Sequence, residues 1–332
     1  MLYPMSIMST SNETFLHRLR QLVNGMLGRF GFEVVRREPS RGSPSDLIAI
    51  QIGGYKLLIP VSNSLWKEYH NNPEYTAQLG RIAACVFQTY KDSYAIDVGA
   101  NIGDTAALIK SQAEVPVICV EGDPGVFPIL EKNISSMQDV SAFCCFLGQR
   151  TEKISATIEK GGWDATLIPG EAGSHRDGEA MLLLSLEDLL SQSKPKGTCK
   201  LLKLDIEGFD LRVIRGASNF LTRDRPVILF EFNHENLTKL DEDGLAIFSY
   251  LSSIGYERLH IYDSQGFFIC PCRTSDIETL CDLDSYARCV QGLFYYDICA
   301  FHSSDLSIAD RVLLTERSHR AELIKGRTAG SG

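Results

Sequence analysis

The stretch Tyr94-Ala-Ile-Asp97-Val-Gly99-Ala-Asn101-Ile-Gly103-Asp104-Thr105 decides the fold. A short apolar run ends at Asp97, turns through Gly99-Ala100-Asn101-Ile102-Gly103, and predicts a helix opening at about Asp104. A strand that feeds a helix through a glycine turn leaves backbone N–H groups pointing out of the carboxyl edge of a sheet. That is the outline of a nucleotide-cofactor pocket.

Spacing and charge say which nucleotide better than the glycines do. A dinucleotide fingerprint reads Gly-x-Gly-x-x-Gly and wants no negative side chain beside its pyrophosphate. Here Asn101 stands at the middle glycine, no third glycine follows, and Asp97 and Asp104 flank the turn. Anionic flanks repel pyrophosphate and suit a ligand with a cationic amino-acid end and a sulfonium, such as S-adenosylmethionine. Downstream, Val117-Ile-Cys-Val reads as a buried strand ending at Glu121. An acid at the tip of the second strand accepts hydrogen bonds from both ribose hydroxyls, in nicotinamide enzymes and methyltransferases alike. Glu121 therefore implies adenosine without choosing the cofactor.

At 332 residues the chain has room for one large α/β domain and a smaller appendage, and 44% apolar content is enough for a full core. The net charge of −9 argues against broad nucleic-acid binding, which needs a basic field. No run is long and apolar enough for a transmembrane segment. Met1 to Ser9 shows neither a basic n-region nor an h-region. The expectation is a cytoplasmic protein whose ten cysteines are reduced.

Residues 13–30 place Phe15, Leu19, Leu22, Val23, Met26 and Phe30 at helical spacing, an amphipathic helix for docking on its own domain or on a second copy in a homo-oligomer. Lying on an anionic membrane surface is the lesser alternative for that helix. Arg37 to Ser45 reads as a linker, two strands around 46–52 and 55–61 meet at Gly53-Gly54 as a hairpin, and 74–90 is helical. Residues 1–92 are thus an N-terminal appendage, 93–302 the catalytic domain, and 303–332 a C-terminal helix, to about Ile324, with a disordered tail.

From Tyr94 strand and helix alternate, as in a parallel sheet. Strands are expected at 94–98, 117–121, 140–147, 200–206, 226–232, 256–262 and 292–301, with helices at about 104–112, 124–136, 209–215 and 242–253. Thr151 to Ala180 interrupts the series as a lid, hairpin or insertion. Leu182–Leu184 reads as a short strand, and Ser185 caps a helix with Asp188 as the reciprocal acid of a capping box.

Right-handed crossovers bring the carboxyl ends of these strands to one edge. Asp205, Glu207, Glu231 and His234 then stand beside the cofactor turn, with Lys203 placed to pair with one of the acids. Transfer of a methyl group to a hydroxyl needs positioning and a group to take the proton. Asp205, Glu207 and His234 are the candidate catalytic residues. The same ends, with an Asp, a Glu, an Asn and a His, would also suffice to hold a divalent cation.

Five blocks occur in order: Asp97-Val-Gly-Ala-Asn-Ile-Gly-Asp-Thr105, Val120-Glu-Gly-Asp-Pro124, Leu184-Ser-Leu-Glu-Asp-Leu-Leu190, Lys203-Leu-Asp-Ile-Glu-Gly208 and Arg225-Pro-Val-Ile-Leu-Phe-Glu231. Together they resemble an FkbM-type methyltransferase over about residues 93–301. The resemblance implies a class I, Rossmann-like, S-adenosylmethionine-dependent O-methyltransferase acting on a hydroxyl of a sugar, glycan or natural product. It implies an α/β fold with a seven-stranded, mostly parallel sheet and an antiparallel last strand. It also implies cofactor contacts from Asp97, Gly99, Asn101 and Glu121, with Gly103 closing the same turn, and an acceptor site near Asp205 to Glu207. Gly122 departs from the pattern, standing where an aromatic or acidic neighbour of the ribose is expected. A nicotinamide-dependent oxidoreductase and a non-catalytic scaffold binding an adenosine cofactor are the alternatives.

Overall fold

The computed structural model describes residues 46–161, 164–169, 179–290 and 295–329. The expected helix at 13–30, the linker at 37–45, and the start of the last expected strand lie outside them. The chain divides into two compact units, one of residues 1–48 with 60–62 and one of 49–59 with 63–332. Apart from residues 47–48 and Pro60 at the ends of the first hairpin, everything below belongs to the second unit.

A hairpin of β1 (Leu47–Ile52) and β2 (Tyr55–Pro60) turns at Gly53-Gly54, both at positive φ, as a two-residue hairpin loop requires. Helices α1 (Leu65–Asn71) and α2 (Ala77–Thr89) lead into β3 (Ser93–Val98). There follow α3 (Asp104–Gln112), β4 (Val117–Glu121), α4 (Phe127–Ile134), β5 (Val140–Cys144) and β6 (Phe146–Gly148). Next come β7 (Glu152–Gly161), β8 (Asp164–Pro169), β9 (Glu179–Ser185), α5 (Leu186–Ser193) and β10 (Thr198–Leu204). The chain continues through α6 (Asp210–Gly216), α7 (Ser218–Asp224), β11 (Val227–Phe232), α8 (His234–Lys239) and α9 (Ala246–Ser253). It closes with β12 (Tyr256–Asp263), β13 (Phe268–Arg273), α10 (Ile277–Cys289), β14 (Tyr296–His302) and α11 (Leu306–Ala329).

Eight strands form the main sheet in the order β13-β12-β14-β11-β10-β3-β4-β5. From β11 to β5 the neighbours are parallel, while β14 runs antiparallel between β11 and β12. This is a class I methyltransferase-like Rossmann fold with a mixed sheet. The expected seven strands are there, and β13 adds an eighth at the edge, antiparallel to β12. The chain walks outward from β3 to β5 and returns to β10 on the other side of β3. That reversal is the switch point at which open α/β sheets hold their ligands.

Both faces are covered, so the central strands read as continuous apolar runs rather than alternating ones. Ile96, Leu202, Leu204, Ile228 and Phe230 face the core under α5, α6, α7 and α9. Ala95, Leu201, Leu229, Cys299 and Phe301 face the other, under α2, α3, α4 and α11. The hairpin is tied to the second core through Asn133. Its side chain accepts from Leu58 N at 2.8 Å and donates to Leu58 O at 2.9 Å and to Ile102 O, in the glycine turn, at 2.8 Å.

Several local expectations change. The strand expected at 140–147 breaks after Cys144: β6 leaves the main sheet and pairs with β9 in a four-stranded sheet ordered β6-β9-β7-β8. The interruption from Thr151 to Ala180 is therefore built largely of a hairpin, its polar run 171–178 lying outside the described residues. The helices α1, α7, α8 and α10 are additional. The C-terminal helix runs to Ala329, because the Arg320-to-Lys325 segment is rich in strong helix formers and continues it past the expected end at Ile324. Ser185 caps α5, its Oγ accepting from Asp188 N at 3.1 Å. Asp188 does not reach back to Ser185 N, which donates instead to Thr151 Oγ1 at 3.0 Å, and Thr151 in turn donates to Asp188. An Asp is one methylene shorter than the Glu of a full capping box, and the threonine fills the gap.

Candidate active site

The glycine turn works because two strand tips touch. Asp205 N donates to Val98 O at 3.1 Å, and a Cβ on Gly99 would lie 1.9 Å from Asp205 O. Gly99 also has φ 75°, so the position excludes side chains twice over. Gly99 N and Ala100 N donate to Val120 O at 2.8 and 3.0 Å, lacing the turn to β4. Asn101 holds the left-handed conformation at φ 46°, where Asn is better tolerated than most residues, and aims its N–H at Glu121 Oε2, 2.9 Å away. Asp123 N donates to Glu121 Oε1 at 2.7 Å. Two backbone amides thus fix the Glu121 carboxylate, while each oxygen keeps a lone pair for a further donor. Burial raises its pKa against those two hydrogen bonds. Gly103, at φ 89°, closes the turn and heads α3.

Asp97 is fully buried. Thr105 Oγ1 donates to its Oδ2 at 2.6 Å, and Lys203 Nζ lies 3.4 Å from its Oδ1. Lys203 also stands 3.5 Å from Asp205 Oδ2 and donates to Gly99 O at 2.9 Å. Burial pushes the Lys203 pKa down, but Asp205, Asp97 and Asp104 together outweigh it and hold the ammonium charged. Next to it Asp104, buried, accepts from Tyr69 Oη at 2.7 Å. Its pKa is pushed up to about 6 because burial exceeds the pull of that hydrogen bond and of Lys203.

A cleft of about 980 Å³, open to solvent, lies along the carboxyl ends of β4, β3 and β10. Of the residues singled out from sequence, Gly99, Asn101, Glu121, Asp205 and Glu207 line it together. Asp97 lies beneath, reaching the lining through Lys203 and Thr105, and Gly103 and His234 are not among its walls. The Gly122 departure has a physical reason. The Phe146 ring occupies the place of a side chain there, 2.3 Å from where a Cβ would sit, so the aromatic neighbour comes from β6 rather than from position 122. Phe146 lines the cleft, as do Tyr75, Leu65 and Leu167. Burial raises the Tyr75 pKa, and the neighbouring Asp205, Asp104 and Asp297 raise it further.

On the other side of Lys203 the sheet register assembles acids. Leu204 pairs with Phe230, so Asp205 follows beside Glu231, and Glu231 pairs directly with Asp297 across β11 and β14. Asp205 is half-exposed, Glu231 is 6% exposed, and the carboxylates of Asp205, Glu207 and Glu231 each offer an oxygen within 4.8 Å of the others. Burial, then Glu207 and Asp205, push the Glu231 pKa well above the carboxylate range. Burial and Asp205 likewise raise Asp297 to about 8 and Asp210 to about 7. Glu207 sits at φ 54° and accepts from Asn236 Nδ2 at 2.6 Å. Asn236 is placed by Asn233, whose Oδ1 caps α8. His234 opens that helix with its Nδ1 buried and without a hydrogen-bond partner among the described residues, outside the acid cluster.

Residues 97–258 match the model of the methyltransferase FkbM domain. The chain thus carries a methyltransferase domain distantly related to the FkbM family. Among solved structures it is similar to the methyltransferase FkbM of Methylobacillus flagellatus KT, at 19% identity and a TM-score of 0.37, over 55% of this chain and 44% of that one. It is also similar to TYW2 of M. jannaschii in complex with AdoMet, at 10% identity and a TM-score of 0.41, over 80% of this chain and 90% of that one. An O-methyltransferase of Bacillus cereus in complex with SAH matches at 12% identity and a TM-score of 0.38, over 68% and 80%. No curated protein matches the sequence. Among the described residues no helix is long and apolar enough to cross a membrane.

Proposed function

We propose that the chain is an S-adenosylmethionine-dependent O-methyltransferase acting on a hydroxyl of a sugar, glycan or natural product, with residues 93–302 as the catalytic domain. The observation that carries the proposal is one cleft lined at once by the Gly99 turn, by the Glu121 carboxylate and by the Asp205–Glu207 pair. Its donor set fits the cofactor. Glu121 offers acceptors for ribose hydroxyls, Phe146 offers an aromatic face, and Asp104, which lines the cleft, supplies negative charge for a cationic amino-acid end. When bound, the cofactor supplies an electrophilic methyl group on a sulfonium, a good leaving group.

The chain's own task is then to place a hydroxyl oxygen and accept its proton. Asp205, half-exposed at the cleft, and Glu207, held by Asn236, are the carboxylates for that work. Tyr75, Leu65 and Leu167 line the walls beside them. The test is transfer of a labelled methyl group from S-adenosylmethionine across a panel of sugar and natural-product hydroxyls. Glu207→Gln and Asp205→Asn are expected to lower kcat by roughly 100-fold or more, with the Kd for S-adenosylhomocysteine unchanged. Loss of cofactor binding in Glu207→Gln would contradict the division of the cleft into a cofactor side and an acceptor side.

A further inference from the structure

We infer that Asp205, Glu207 and Glu231 form a binding site for a hard divalent cation beside the cofactor cleft. The strands set its position. Glu121, Gly99, Asp205 and Glu231 stand at the ends of β4, β3, β10 and β11, which are successive in the sheet. At roughly 4.8 Å per strand, Glu231 lies about 14 Å across from Glu121. The cation site and the ribose acceptor are thus on opposite sides of the switch point.

Three observations point to a cation. Like charges side by side on adjacent strands repel, and here Asp205, Glu231 and Asp297 succeed one another across β10, β11 and β14. Glu231 is more than nine-tenths buried, its Oε1 has no hydrogen-bond partner, and no ion pair reaches it among the described residues. Lys203 is committed to Asp97, Asp205 and Gly99 O, leaving the far side of the cluster without a positive charge from it. A buried carboxylate aimed into such a cluster is a costly arrangement unless something positive completes it.

The geometry suits an oxygen-liganded ion. Opposed ligands in an oxygen shell are twice the metal–oxygen distance apart, about 4.6–5.2 Å for bonds of 2.3–2.6 Å. The three carboxylates already lie within 4.8 Å of one another. Carboxylates alone, with no thiol or imidazole in the group, select Mg²⁺, Mn²⁺ or Ca²⁺ over softer metals. Asp205, half-exposed, gives the ion a way in. The role of the ion in catalysis, lowering the pKa of the acceptor hydroxyl, rests on the methyl-transfer proposal. The binding site does not.

The experiment is a Mn²⁺ titration of the full chain, stripped with chelator and desalted, read by loss of the free-ion electron paramagnetic resonance signal. The expected result is saturable binding of a single Mn²⁺, displaced by Mg²⁺ or Ca²⁺, and weakened tenfold or more in Glu231→Gln. Glu207→Gln, on a half-buried side chain at the rim, is the second variant should Glu231→Gln fail to fold. Absence of saturable binding up to several millimolar, or binding that neither substitution weakens, would overturn the inference. A parallel titration with S-adenosylhomocysteine in chelator separates the two proposals. Cofactor binding without Mn²⁺ binding removes the ion and leaves the methyltransferase. Mn²⁺ binding without cofactor binding does the reverse.

Discussion

Lys203→Met removes the ammonium that joins the cofactor turn to the acceptor side, and its cost follows from two distances. Nζ lies 3.4 Å from Asp97 Oδ1, where both side chains are buried, and a Coulomb term at an effective dielectric of 20 is about 5 kcal/mol. The second pair, 3.5 Å to Asp205, has a partner 48% exposed and contributes about 1 kcal/mol or less after screening. The variant regains the desolvation cost of the ammonium but strands the Asp97 carboxylate, with only Thr105 left to satisfy it among the contacts described. The net loss expected is about 3–5 kcal/mol, measured by urea unfolding followed by circular dichroism. The double variant Lys203→Met with Asp97→Asn leaves no buried charge unpaired at this contact. It is expected to be at least 2 kcal/mol more stable than the sum of the single losses would make it. A loss under 1 kcal/mol in Lys203→Met, or additivity within about 0.5 kcal/mol, would refute the claim that this pair holds the two strand tips together.

Other expectations can be checked in parallel. Asp104 has a folded pKa of about 6, above its unfolded value, so the folded state binds the extra proton between those values. Its burial therefore costs nothing in acid and progressively more as pH rises to about 6. Asp104→Asn should remove that slope, raising stability at pH 7 relative to pH 4 by up to about 3 kcal/mol compared with the parent, and denaturant midpoints across that range would show it. Gly122→Ala drives a methyl into the Phe146 ring and should cost about 1–3 kcal/mol, with weaker S-adenosylhomocysteine binding, read by thermal unfolding and calorimetry. Ser185→Ala removes the cap of α5 and should cost about 1 kcal/mol without changing cofactor affinity.

What the sequence could tell was whatever local rules control. The stretch from Tyr94 to Thr105 shows its strand, turn and helix because an apolar run, two glycines at positive φ and an acid at the helix start are neighbours in the chain. Ser185 announced its helix for the same reason. Phe146 was hidden inside what reads as one strand from Val140 to Leu147. Only the close approach of its ring to Gly122 reveals why the chain leaves the main sheet after Cys144. The pairing of Glu231 with Asp297 was equally hidden, because it depends on β14 inserting antiparallel between β11 and β12. Tyr75 and Leu65 come to the cleft from helices and turns before the glycine turn, and nothing periodic in their own segments places them there. His234 shows the converse: a histidine beside an acidic strand end looks catalytic in sequence, yet it lies off the cleft walls.

The most direct test of the account is calorimetric titration of the purified chain with S-adenosylhomocysteine, with NAD as control and Glu121→Ala as the variant. The account predicts binding of S-adenosylhomocysteine alone, weakened in the variant by about 1.5–3 kcal/mol for the charge-assisted contact removed. Binding of NAD in place of S-adenosylhomocysteine, or an affinity indifferent to Glu121→Ala, would contradict it.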